Sequence, residues 1–191
     1  MVWARTKRPN CWRWSSDVTT HYKATRSDGR DFYTGTIDYG AALLSGEVVR
    51  HPSKRKVRNQ PATYLSVSVS AADCTGFSWP CRLFRVEPIG RVGTADNLPS
   101  KRTVRALRVV EELPAWQAFG PNGEAVVALI ARARTLTPDE ARRLDAAREA
   151  TWNAAREAAW DAARGLVVRD LITPAQFDVL YGPWASVMET M

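Results

Sequence analysis

Several side chains in the first half of the chain could do acid–base or nucleophilic work: His21, Tyr22, Ser66, Ser68 and Glu87. They fall on stretches with the alternation of strands, so neighbouring strands could bring an imidazole, a phenol, two hydroxyls and a carboxylate into one cleft. No Gly-rich phosphate loop, His-Glu-x-x-His helix or Gly-x-Ser-x-Gly elbow accompanies them. Cys11, Cys74 and Cys81 contain no Cys-x-x-Cys pair, and only His21 and His51 could join them as zinc ligands. They read as reduced, idle thiols, and neither a metal nor a cofactor is expected.

Other residues have the chemistry of adhesion. Residues 1–20 set Trp3, Trp12 and Trp14 among Arg5, Lys7, Arg8 and Arg13, a mixture that could stack bases and bind phosphates or simply pack back as a basic arm. Arg50, Lys54, Arg55, Lys56 and Arg58 lie in a run with little to bury, which should be an exposed loop able to meet nucleic acid or an acidic protein. The net charge of +7 is unevenly spread: residues 1–115 carry +9 and residues 116–191 carry −2. Any attraction for polyanions therefore belongs to the N-terminal part.

A third set is aromatic and lies late in the chain. Ala146 to Asn153 and Ala154 to Asp161 form two copies of an octad, and Ala162-Ala163-Arg164 begins a third. Eight residues at about 100° each leave a rotation of roughly 80° per copy, so the repeat is not a coiled-coil seam. Trp152 and Trp160 then occupy neighbouring faces with Arg156 between them at i+4 spacing. With Trp184 they are the candidate anchors for a protein partner, a host protein or a second copy, if they are exposed; buried, they are core.

These residues need positioning elements. Ser78 to Gly90 contains a strand from about Cys81 to Glu87, with Phe84, Val86 and Pro88 on an inward face and Leu83, Arg85 and Glu87 on a charged one. Tyr64 to Ser70 alternates cleanly, Arg105 to Leu113 reads as a final strand with helix as the alternative its Arg and Glu content leaves open, and residues 91–101 read as loop. Asp28-Gly29 predicts a hairpin joining strands at Tyr22–Thr25 and Asp31–Thr34. Ala41 to Leu44 reads as a helical turn before a strand at Glu47–Val49.

After Ala115 the pattern becomes helical. Glu124 to Arg132 reads as a short helix, and Thr137-Pro138-Asp139-Glu140 is a capping box. A helix unbroken from Pro138 to Ile172 would be about 52 Å long, with any bend at Gly165. Its Leu144, Ala147, Thr151, Ala155, Ala158 and Ala162 line up along one narrow side that lets another helix come close. Thr173-Pro174-Ala175-Gln176 starts a last helix that should stop at Gly182-Pro183.

The fold class is therefore α+β: a mixed, mostly antiparallel sheet followed by a C-terminal helical segment. The expected divisions are a basic Trp-rich arm at 1–20, a sheet domain at 21–114 and a helical segment at 115–191. No window approaches the roughly 18 apolar residues that span a bilayer, and the N-terminus lacks the apolar core of a secretory signal, so a cytoplasmic protein with no membrane contact is expected.

Two resemblances add context. Ser66-x-Ser68 beside a strand carrying Glu87 resembles the nicotinamide pocket of ADP-ribosyltransferases, although Arg85 stands where that family has a Glu or Gln two residues before the catalytic Glu. Tyr22 to Thr25 with Asp28 to Phe32, Leu83 to Gly90 and Lys101 to Leu113, followed by the Ala-Ala-Arg-Glu-Ala-Ala-Trp repeats, resemble a family of uncharacterised proteins of actinobacteria and their phages. That resemblance implies a small accessory protein of phage type, bringing no catalytic residues with it. The sequence thus supports a non-enzymatic protein-binding role first, sequence-independent nucleic-acid binding second and a transferase third.

Overall fold

The computed structural model describes residues 20–53, 57, 60–74, 78–95, 98–147 and 154–189. Seven strands form one sheet: β1 (His21–Arg26), β2 (Val48–Arg50), β3 (Leu65–Ser68), β4 (Cys81–Ile89), β5 (Gly93–Ala95), β6 (Leu98–Val104) and β7 (Ala106–Leu113), in the order β2-β7-β4-β1-β3-β6-β5. Every strand pairing among the described residues is antiparallel. Helices follow the strands, which makes the fold α+β.

The sheet is buried on both faces near its middle. On one face Phe84, Val86, Val67, Leu65, Val104 and Leu107 pack under α1 (Tyr39–Ser45), whose Tyr39 and Ala42 point into this core. On the other, Leu83 is fully buried with Ala24 and Cys74, covered by the 3₁₀ turn at Ala71–Asp73. The face of β4 expected to be charged therefore carries a second small core. On that face Arg85 pairs with Glu111 at 2.7 Å, while Arg82, on the opposite face beside Phe84, pairs with Glu112.

Local signals were overridden in two places. Asp28-Gly29 does form a turn, with Gly29 at φ 87°, but no strand follows it. Asp31 instead accepts hydrogen bonds from the backbone N–H of Thr34 (2.6 Å) and of Ile37 (2.9 Å), which curls the segment away from strand pairing. Within 91–101, expected to be loop, β5 and most of β6 form because β6 completes the ladder of β3, pairing Ser66 with Thr103 and Ser68 with Lys101.

The helical segment is not one long rod. α2 (Gly123–Ala133), α3 (Pro138–Ala147), α4 (Ala154–Val168) and α5 (Pro174–Met188) pack on one another, with α3 against α4 and α4 against α5. Leu144, Ala158, Ala162, Leu166, Trp184 and Val187 are buried together, so the small-residue side of the helix is covered by this chain's own helices. Gly165 is a contact point rather than a bend, since a Cβ there would lie 3.1 Å from Cβ of Leu180. α5 runs through Gly182-Pro183 to Met188, because Trp184 and Val187 anchor the turns beyond the proline in the core. Both capping boxes are present, at Thr137/Glu140 and Thr173/Gln176.

Candidate binding groove

The helices meet the sheet at the 3₁₀ turn Ala115–Phe119, which follows β7 directly and packs against the turn at Ala71–Asp73. Gly123 allows α2 to start hard against it, for a Cβ at that position would lie 2.0 Å from the carbonyl oxygen of Trp116. This junction brings the start of β4 close to the helices. Trp79 and Phe119 stack at 5.2 Å between ring centroids, tilted by 56°.

Beside that aromatic pair a half-open cavity of about 830 Å³ lies along α2 and α4, which themselves pack together. Leu129, Ile130 and Ala133 of α2 form one wall, at the i, i+1, i+4 spacing of a helix face. Ala159 and Ala163 of α4 supply a shallow floor, and Trp79 and Phe119 close the sheet side. Alanines are what leave the space: a larger residue at either position would fill it. Trp160 stands at the mouth, 51% exposed, with Arg156 one turn before it and Arg134 across the groove. Among the described residues no carboxylate lines this cavity. Neither Arg134 nor Arg156 makes a side-chain hydrogen bond or ion pair among the described residues, whereas nearby Arg132 is paired with Glu140.

Of the proposed anchors, then, Arg156 and Trp160 come together at one groove. Trp184 is 4% exposed and belongs to the helical core, so it offers no surface to a partner. Trp152 lies outside the described residues, as do Lys54, Arg55, Lys56 and Arg58 of the basic loop. Arg50 is exposed at the end of β2. Arg105 holds the flanks of that loop, its guanidinium donating to the carbonyls of Thr63 (2.8 Å) and Ser53.

The candidate catalytic groups are dispersed. β1 lies between β3 and β4, so a whole strand separates Ser66 and Ser68 from Glu87. The Ser68 hydroxyl is 1% exposed; it accepts from Nζ of Lys101 at 2.8 Å and donates to the carbonyl of Asp73 at 3.0 Å. His21 is buried opposite Val86, and Tyr22 pairs with Ser68 and Arg85. Among the described residues, no group of three or more His, Cys, Asp or Glu side chains could hold a metal ion. Cys74 and Cys81 are free and buried, and burial together with Cys74 pushes the Cys81 thiol up to about 11.

A buried polar cluster escaped the sequence reading. Lys23 donates to the carbonyl of Ser66 at 3.1 Å and holds its ammonium 5.4 Å from the centre of the Tyr39 ring. Burial, and then the charge of Lys101, lower its pKa to about 8. Tyr39 is shifted upward by burial and by Asp31. Burial also pushes the Asp31 carboxyl up, but the N–H groups of Thr34 and Ile37 outweigh it and hold the group below its usual range. Only the apolar spacing of Leu129, Ile130 and Ala133 signals the groove in sequence, and nothing signals Arg134, Trp79 or Phe119 as its partners.

Comparison of the chain with protein-family models, with curated proteins and with solved structures gives no match in any of the three. Among the described residues no helix is long and apolar enough to cross a membrane.

Proposed function

We propose that this chain is a non-enzymatic binding protein, a small accessory protein of phage type, that engages a protein partner from the host cell or a second copy of itself at the groove between α2 and α4. The observation that carries this reading is Trp160, half exposed at the mouth of a largely apolar cavity of about 830 Å³ that Arg134 and Arg156 also line. A tryptophan with one face free beside a concave apolar surface is the commonest kind of interface anchor, and its truncation typically costs about 2 kcal/mol or more of binding. The test is a nuclease-treated pull-down from an actinobacterial host, run with the parent and with Trp160→Ala. A stoichiometric protein captured by the parent, and weakened at least about tenfold by the substitution, is the expected result.

Sequence-independent nucleic-acid binding is the second reading, favoured by the exposed Arg50 and the +9 charge of residues 1–115. It predicts that everything captured is lost after nuclease, and that affinity falls steeply with salt.

A further inference from the structure

Resting on the groove as the working surface, we infer that its occupant is an acidic amphipathic helix of a partner protein, with apolar side chains seated between α2 and α4 and carboxylates facing Arg134 and Arg156. Shape argues for a helix. The walls are themselves helices, and the floor of Ala159 and Ala163, continued by Ala133 on the wall, lets a third helix axis approach to the ordinary distance of about 8–10 Å. On the sheet side the described lining residues are Ser78 and Trp79, which precede β4, so among the described residues no unpaired strand edge lines the groove to recruit an extended peptide. A cavity of about 830 Å³ holds the apolar side chains of one or two helical turns rather than a whole interface.

Charge decides the partner's sign. Among the described residues that line the groove, the charged ones are both arginines, on opposite walls, and neither is paired. The acids of α4 lie on the far side of Trp160, where Glu157, Asp161 and Arg164 line a separate concavity and Asp161 already pairs with Arg164 at 3.3 Å. An acidic helix meets two free guanidinium groups without displacing an existing ion pair; a basic one meets only repulsion.

The probes are three dye-labelled fourteen-residue amphipathic peptides with the same leucine face, flanked by Glu, Gln or Lys, titrated with the full chain and read by fluorescence anisotropy. The Glu peptide should bind about five- to tenfold more tightly than the Gln peptide at low salt, two exposed pairs contributing modestly each. The Lys peptide should bind most weakly, and the differences should vanish near 1 M salt. Arg134→Gln with Arg156→Gln should remove the preference for Glu while leaving the Gln peptide unaffected. Equal binding of all three peptides, abolished by Trp160→Ala, would overturn the acidic partner and leave the groove intact. Failure of every peptide to bind, or binding indifferent to Trp160→Ala, would overturn the groove as well. A salt-insensitive dimer that Trp160→Ala dissociates would overturn the acidic partner and keep the groove, since a second copy would then be the occupant.

Discussion

Lys23 carries an ammonium into the sheet with a carbonyl and an aromatic ring for company, and no carboxylate within ion-pairing distance among the described residues. Its lowered pKa has a direct consequence for stability. Between about 8 and the unfolded value of 10.5 the unfolded chain binds a proton that the folded chain has released, so folding becomes more favourable as pH rises through that window. At neutral pH the charge is present in both states and burdens the fold. Lys23→Met should therefore be more stable than the parent at pH 7, with the advantage shrinking as pH rises from 8 to 10. Taking the difference between the two denaturation curves cancels the opposite alkaline contributions of Cys74, Cys81 and Tyr39. An advantage that is flat with pH would show that Lys23 titrates normally. None of this was legible in sequence: Lys23 reads as one polar position in an alternating strand, and only the pairing of β1 between β3 and β4 buries it.

At the scale of elements, strand alternation and helix caps were readable because each depends on neighbours a few residues away. The strand at β3, the core of β4 and both capping boxes are of this kind. What could not be read depends on distant partners. Asp31 competes for backbone N–H groups that a hairpin would need, β6 exists because β3 offers it a ladder, and α5 survives Pro183 because Trp184 and Val187 are buried beyond it. Tryptophans of α4 and α5 look alike in composition and differ only in what covers them. Trp184→Ala should cost about 3–5 kcal/mol in chemical denaturation, as deletion of a large core side chain does. Trp160→Ala should change stability by less than about 1 kcal/mol, because half of that side chain is already in water. Equal losses at the two sites would mean that Trp160 is a packing residue.

Over the whole molecule the chain divides its labour. The sheet is built to be closed on both faces, with a charged pair between β4 and β7 on each and its catalytic-type side chains either bonded internally or separated by a strand. The helical segment buries one side of α4, Ala159 and Ala163 included, and leaves Trp160 and Arg156 exposed beside the cavity. Hydrogen exchange on the captured complex, compared with the free chain, tests this division most directly. The account predicts new protection confined to the C-terminal turns of α2 and the half of α4 around Arg156 to Ala163. Protection that falls instead on residues 50–61 or on the strands, with α2 and α4 unchanged, would contradict it.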